Sequence, residues 1–179
     1  MAETYKITIA GLERELPICP LNDKIDIAAF VMFSDVELTE AVAEKLLGKS
    51  PYFDIILTAE SKGIPLAYEM ARESGKPYVV ARKSVKLYMT DPICVNVKSI
   101  TTADEQKLYL SKEKAAMLKG KKVLIVDDVI STGESLRALE KLVNEAGGII
   151  SGRAAVLAEG DAAERKDICF LEKLPLFFK

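Results

Sequence analysis

Asp127 and Asp128 stand side by side, and after a two-residue spacer come Ser131, Thr132, Gly133, Glu134 and Ser135. Ionised carboxylates accept hydrogen bonds and donate none, so an adjacent pair suits the hydroxyls of a sugar. Hydroxyl side chains, a glycine and free backbone amides at the start of a helix suit a phosphate. A site for phosphate alone has little use for acids. Acids that lead into an anion cradle point instead to a phosphorylated sugar. The competing interpretation is a strand, an Asp-rich turn and a Ser/Thr helix cap, which any α/β protein can contain. The segment is neither a P-loop nor a dinucleotide-binding glycine triplet.

Two further places carry groups suited to an anion. Ser61, Lys62 and Gly63 lie between an apolar run and a helical pattern, where amides and a lysine can hold a second phosphate. A plain helix entry with an exposed lysine fits them equally well. Arg82 and Lys83 follow another apolar run, and their charges would meet phosphoryl groups if this end of the run faces the ligand.

These residues need a scaffold. Val123 to Val126 are four apolar residues without alternation, the pattern of a strand buried on both faces. The two acids follow where that strand should leave the core, their side chains pointing in different directions. A helix from about Gly133 to Glu145 should come next, ended by Gly147 and Gly148. Residues 53–58, 78–81 and 149–157 supply further core strands, and the apolar residues 168–171 are expected to dock back on the domain. A helix over 35–47, capped by Asp35 and ended by Gly48, precedes the first of them, and another runs from 63 to about 74. Residues 93–97 and 107–110 form a hairpin, 112–118 a short helix, and the apolar residues 174–178 dock back on the domain. Core strands alternating with helices predict an α/β fold: a mostly parallel central sheet with helices on both faces. Turns at the carboxyl ends of parallel strands gather along one edge, which would bring residues 61–63, 82–83 and 127–135 together.

Composition narrows the possibilities. A chain of 179 residues without a Pro-rich or Ser/Gly-rich linker is read as a single domain, 1–179. With 25 basic and 27 acidic residues, the formal charge of −2 offers no general field for nucleic acid. No window approaches a membrane span and no basic–apolar leader opens the chain, so a cytoplasmic location is the default expectation. Cys19, Cys94 and Cys169 are too dispersed for a Cys-x-x-Cys unit. The chain has no histidine, which removes the common zinc clusters and histidine acid–base chemistry.

Four apolar residues, two acids, a short spacer, then Thr-Gly and a small residue: this pattern at 123–135 resembles the signature of the type I phosphoribosyltransferase family. The resemblance implies that Asp127 and Asp128 hold the ribose hydroxyls of phosphoribosyl pyrophosphate and that residues 131–135 hold its 5-phosphate. It makes 61–63 the pyrophosphate loop, with Lys62 where many adenine enzymes have arginine, and gives Lys83 a pyrophosphate contact. It implies a small hood from residues 1–34 and assigns the base pocket to it, with Phe30 and Phe33 as candidates beside a core role, and to the turn at Gly160, which could equally be a solvent loop. Xanthine enzymes place a lysine near Gly160. Residues 84–112 become a flexible lid, in which Ser99, Thr101 and Glu105 resemble xanthine phosphoribosyltransferase and a purine-responsive repressor domain. The Glu-Tyr-Gly usual in adenine enzymes is absent, whereas Leu-Pro-Leu-Phe at 174–177 resembles adenine-enzyme termini. The implied reaction joins adenine to phosphoribosyl pyrophosphate, with Asp127, Asp128, Lys83 and Glu105 as catalytic candidates. Mg²⁺ is expected on the substrate without a direct protein ligand, and a homodimer is expected. Xanthine or guanine transfer, a non-enzymatic phosphoribosyl pyrophosphate sensor, and an idle pocket are the alternatives.

Overall fold

The computed structural model describes residues 3–98 and 105–179. Its main sheet has five strands: β4 (Ile55–Ala59), β5 (Tyr78–Ala81), β8 (Lys122–Ile130), β9 (Ile149–Glu159) and β10 (Cys169–Leu174). They lie in the order β10-β9-β8-β4-β5, and every pairing is parallel. A second, antiparallel sheet forms the hood from β1 (Thr4–Ile9), β2 (Leu12–Pro20) and β3 (Ile25–Ala28), closed by the terminal strand β11 (Leu176–Phe178). β6 (Ile93–Lys98) and β7 (Glu105–Leu110) make the expected hairpin as a separate two-stranded sheet.

Strand alternation divides the core. Ile55, Leu57, Val123 and Ile125 point to one face, where they meet α4 (Glu134–Glu145) and α3 (Lys112–Leu118). Ile56, Leu124 and Val126 point to the other, against α1 (Val36–Lys49), α2 (Ile64–Ser74) and the hood. Helices therefore cover both faces of the sheet. The foot of the hairpin joins the first cluster through Val95, Leu108 and Leu110. Reciprocal backbone bonds between Arg82 and Tyr109, 2.9 and 2.8 Å, tie β7 to the end of β5.

Several boundaries differ from those expected. Residues 1–34, expected only as a hood, hold three strands. Gly48 does not end α1: the helix continues to Lys49, and Ser50 closes it through its backbone N–H and Oγ, both bonded to the Leu46 carbonyl. The larger difference is β8, which does not stop at Val126. It runs through both acids to Ile130, paired with β9 as far as Ile130–Ala158. Ser99 and Thr101 lie outside the described residues. Among those described, no helix is long and apolar enough to cross a membrane.

Asp35 joins the hood to α1. It caps the helix by accepting from the Leu38 N–H at 3.1 Å, and Arg14 of β2 donates to both of its oxygens at 2.7 and 3.0 Å. The Arg14 hydrogen bond holds the Asp35 carboxyl below the usual aspartate range, against desolvation and with help from the Leu38 N–H. Asp35→Ala should lower stability by about 1–2 kcal/mol at neutral pH, the size of a lost cap. A depressed folded pKa stabilises above the unfolded value and is lost as pH falls through the folded one. Denaturant unfolding should therefore separate wild type from D35A at pH 7, and the gap should close on acidification below the aspartate range.

Candidate active site

The chain turns from β8 outward to β9 and from β4 outward to β5, so the order reverses between β4 and β8. Ligands of open parallel sheets sit at such a reversal, beyond the carboxyl ends of the strands. The pairing of β4 with β8 ends at Leu57–Ile125, while β8 continues along β9 for five more residues. The two strands thereby part, and a cavity of about 200 Å³ opens between them. Glu60, Ser61 and Lys62 line it from the β4 side, Asp127, Asp128 and Val129 from β8, and Lys83 from beyond β5.

A second, smaller cavity of about 40 Å³ adjoins it at the start of α4, lined by Asp127, Ser131, Thr132, Gly133, Glu134 and Ser135, among others. Hydroxyls and backbone amides at a helix start suit it to a small anion. Gly133 caps α4 with φ +76°, a left-handed conformation that glycine adopts without strain. Asp127 and Ser135 border both cavities.

The two acids are neighbours on the strand, yet both line the larger cavity and their carboxyls lie close enough to interact. Asp128 is 4% exposed, and its Oδ2 lies 3.1 Å from Lys62 Nζ without accepting a well-aligned hydrogen bond. Asp127 Oδ1 accepts from the Asp128 N–H at 2.9 Å. Burial pushes the Asp127 carboxyl up to about 8, the negative charge of Asp128 adds to the rise, and Lys62 opposes it. Burial also raises Glu159, at the end of β9, again opposed by Lys62. Lys62 thus serves three carboxylates.

Gly63 is fixed by space. A Cβ there would lie 2.5 Å from Thr58 Oγ1 and 3.2 Å from Asp127 Oδ1, so only glycine lets the Ser61–Gly63 turn settle onto β4 and β8. Thr58 Oγ1 is buried and has no hydrogen-bond partner.

Sequence reasoning placed the other candidates unevenly. Arg82 does not line the pocket; its Nε lies 3.0 Å from Glu60 Oε2. In this structure Arg82 is paired with Glu60. Glu60, which the sequence reading passed over, also accepts from the Lys83 N–H at 2.5 Å through Oε1 and so sets the direction of that chain turn. Its only sequence signal is a charged residue at a strand exit. Phe30 is 4% exposed and packs in the hood core, leaving no open face for a base, whereas Phe33 is 46% exposed. Gly160 opens a 3-10 turn, Gly160–Glu164, with φ +57°, and a Cβ there would meet Leu176 Cδ1 at 3.0 Å. Glu105 opens β7 opposite Lys98.

The phosphoribosyl transferase domain matches this chain over residues 37–174. A hypoxanthine/guanine phosphoribosyltransferase of Methanothermococcus okinawensis is 34% identical over 161 residues, covering 86% of this chain and 84% of that protein. An adenine phosphoribosyltransferase of Rhodococcus jostii is 35% identical over 126 residues, 70% of this chain and 69% of that one. Among solved structures, adenine phosphoribosyltransferase from Thermoanaerobacter pseudethanolicus has the same fold: TM-score 0.71 at 24% identity, covering 88% of this chain and 95% of that one. With the domain matched over most of its length, and with paired acids and a helix-start cradle at the reversal of its parallel sheet, the chain belongs to the phosphoribosyltransferase family.

Proposed function

We propose that this chain is a purine phosphoribosyltransferase that transfers the phosphoribosyl group of phosphoribosyl pyrophosphate to adenine, giving AMP and pyrophosphate. The observation that carries this reading is the double exposure of Asp127, which borders the small cradle on one side and the larger pocket on the other. A ribose with a phosphate at C5 and a pyrophosphate at C1 has that order of groups: anion, hydroxyls, anion. The 5-phosphate would occupy the cradle at 131–135, the ribose hydroxyls would meet Asp127 and Asp128, and the pyrophosphate would meet Ser61, Lys62, Gly63 and Lys83.

In the reaction, the C1–O bond to pyrophosphate breaks while a base nitrogen bonds to C1, and the base loses its N–H proton to a nearby base or to solvent. No enzyme nucleophile is needed; alignment and charge stabilisation carry the chemistry. The carboxylates would face the positive charge developing on the ribosyl group, and Lys62 and Lys83 would receive the departing anion. Mg²⁺ is part of the proposal, brought mainly by the substrate. Asp128 Oδ2, buried and short of a hydrogen-bond donor, fits as an acceptor for a metal-bound water, since Mg²⁺ keeps its waters and few carboxylates. When bound, the ion neutralises the leaving pyrophosphate. A homodimer and a cytoplasmic setting complete the proposal.

Adenine is supported by the chain terminus and by Gly160, whose positive φ and contact with Leu176 leave little room for the lysine of xanthine enzymes. Hypoxanthine/guanine transfer is the second reading, supported by the Methanothermococcus relative, and the lid segment keeps xanthine transfer beside it. A product assay with adenine, hypoxanthine, guanine and xanthine, each with phosphoribosyl pyrophosphate and Mg²⁺, should give the highest kcat/KM for adenine. A higher value for another base replaces the base assignment. Binding without transfer to any base favours a sensor.

The acids provide a separate test. Asp127→Asn and Asp128→Asn should each leave the protein folded and lower kcat/KM about 30-fold, a loss of about 2 kcal/mol in transition-state stabilisation. Near-native rates in both would remove the ribose role. Asp127→Asn should also change stability with a definite sign. A carboxyl whose folded pKa lies above its unfolded value of about 4 destabilises progressively as pH rises between the two, here up to about 8. The melting temperature of D127N should therefore rise relative to wild type across that range, while activity falls.

A further inference from the structure

The glycine of the cradle has two guanidinium neighbours. A Cβ built on Gly133 would lie 2.9 Å from Arg165 Nη1 and 3.7 Å from Arg137 Nη1. Arg137 sits one turn along α4 and reaches back to the Thr132 carbonyl at 3.4 Å. Arg165 comes from a different part of the chain, just after the Gly160–Glu164 turn. Its Nε and Nη2 donate to the two oxygens of Asp167 at 2.9 and 2.7 Å. That fork fixes the plane of the guanidinium and leaves Nη1 as the nitrogen turned toward Gly133.

Asp167 is itself held. Arg153 of β9 lies 3.9 Å from Asp167 Oδ2 and bonds Glu140 of α4. A line of charges, Glu140–Arg153–Asp167–Arg165, thus starts on α4 and returns to Gly133, the cap of the same helix. Every member is partly exposed, and exposed pairs contribute only about 0–1 kcal/mol each. Stability is a weak reason for such a chain, whereas holding one guanidinium in a set direction is what a bidentate pair does well.

We propose that Arg165 is a further binding residue for the 5-phosphate, placing a fixed cation on the rim of the cradle, and that Asp167 acts through it as a positioning residue. Arg137 supplies a second, less constrained cation on the same rim. This rests on the reading of residues 131–135 as the 5-phosphate site and adds to it a ligand from the turn after β9. That turn also carries Gly160, so phosphate binding and the geometry of the proposed base side share one segment.

Calorimetric titration of the full-length protein with ribose 5-phosphate, and separately with pyrophosphate, tests the assignment. Arg165→Ala should weaken ribose 5-phosphate about tenfold, the scale of one hydrogen bond to a charged group, and leave pyrophosphate affinity unchanged. Arg165→Lys should fall between, since it keeps the charge and loses the fork. Asp167→Asn should weaken ribose 5-phosphate less than Arg165→Ala does. Unchanged ribose 5-phosphate affinity in R165A overturns the proposal, as does an equal loss for both ligands; where R165A does not fold, the same two outcomes in R165K decide it. Wild-type protein that binds pyrophosphate but not ribose 5-phosphate would overturn the cradle reading itself, a result distinct from failure of the arginine alone.

Discussion

The site depends on the parting of β8 from β4. Up to Leu57–Ile125 the two strands share backbone hydrogen bonds; beyond it, β8 keeps only β9 as a partner. The open side of β8 is then free to face a ligand, while the β9 side still holds the backbone straight and in register. Both acids lie in this half-paired stretch. Both carboxyls border the larger cavity there, and Asp127 also borders the smaller one at the start of α4. Had the strand ended at Val126, the acids would sit on a turn without β9 to fix their place.

That placement costs stability. Two carboxylates are held adjacent with little solvent, and the raised Asp127 pKa is the signature of that burial. Lys62 offsets part of it through Asp128, but it is 46% exposed and its charge is shared with Glu159. Proteins commonly retain such strain where function needs it.

Much of the scaffold is visible locally in the chain. Unbroken apolar runs at 123–126 and 78–81 mark buried parallel strands, and Asp35 is recognisable as a cap from its place before a helical pattern. The extension of β8 was hidden because aspartate disfavours strands; the register with β9, which pairs Asp127 with Ala155 and Val129 with Leu157, overrides that preference. The hood was expected, but not its strands. Tyr5, Ile7 and Ile9 alternate as an edge strand should, and the sheet is completed by residues 176–178, which return to pair with 25–27, a pairing no local pattern announces. The fates of Arg82 and Phe30 belong to the same class: each was settled by a partner or a neighbourhood distant in sequence, Glu60 for one and the hood core for the other.

Close packing joins the parts of the site that the sequence keeps separate. Gly63 lies over Thr58 and Asp127 so closely that its own missing side chain is the space between them. Movement of the Ser61–Gly63 turn must therefore shift Asp127 or lose contact with it, and the proposed pyrophosphate and ribose contacts behave as one unit. Gly160 does the same on the opposite side, where an added Cβ would meet Leu176 of the hood. The turn that carries Gly160 also leads to Arg165 and so to the cradle. The hood, the proposed base side and the phosphate end are coupled through contacts too tight for a methyl group. Substitutions at either glycine should consequently disturb groups that lie far from them along the chain but within one or two contacts in the fold.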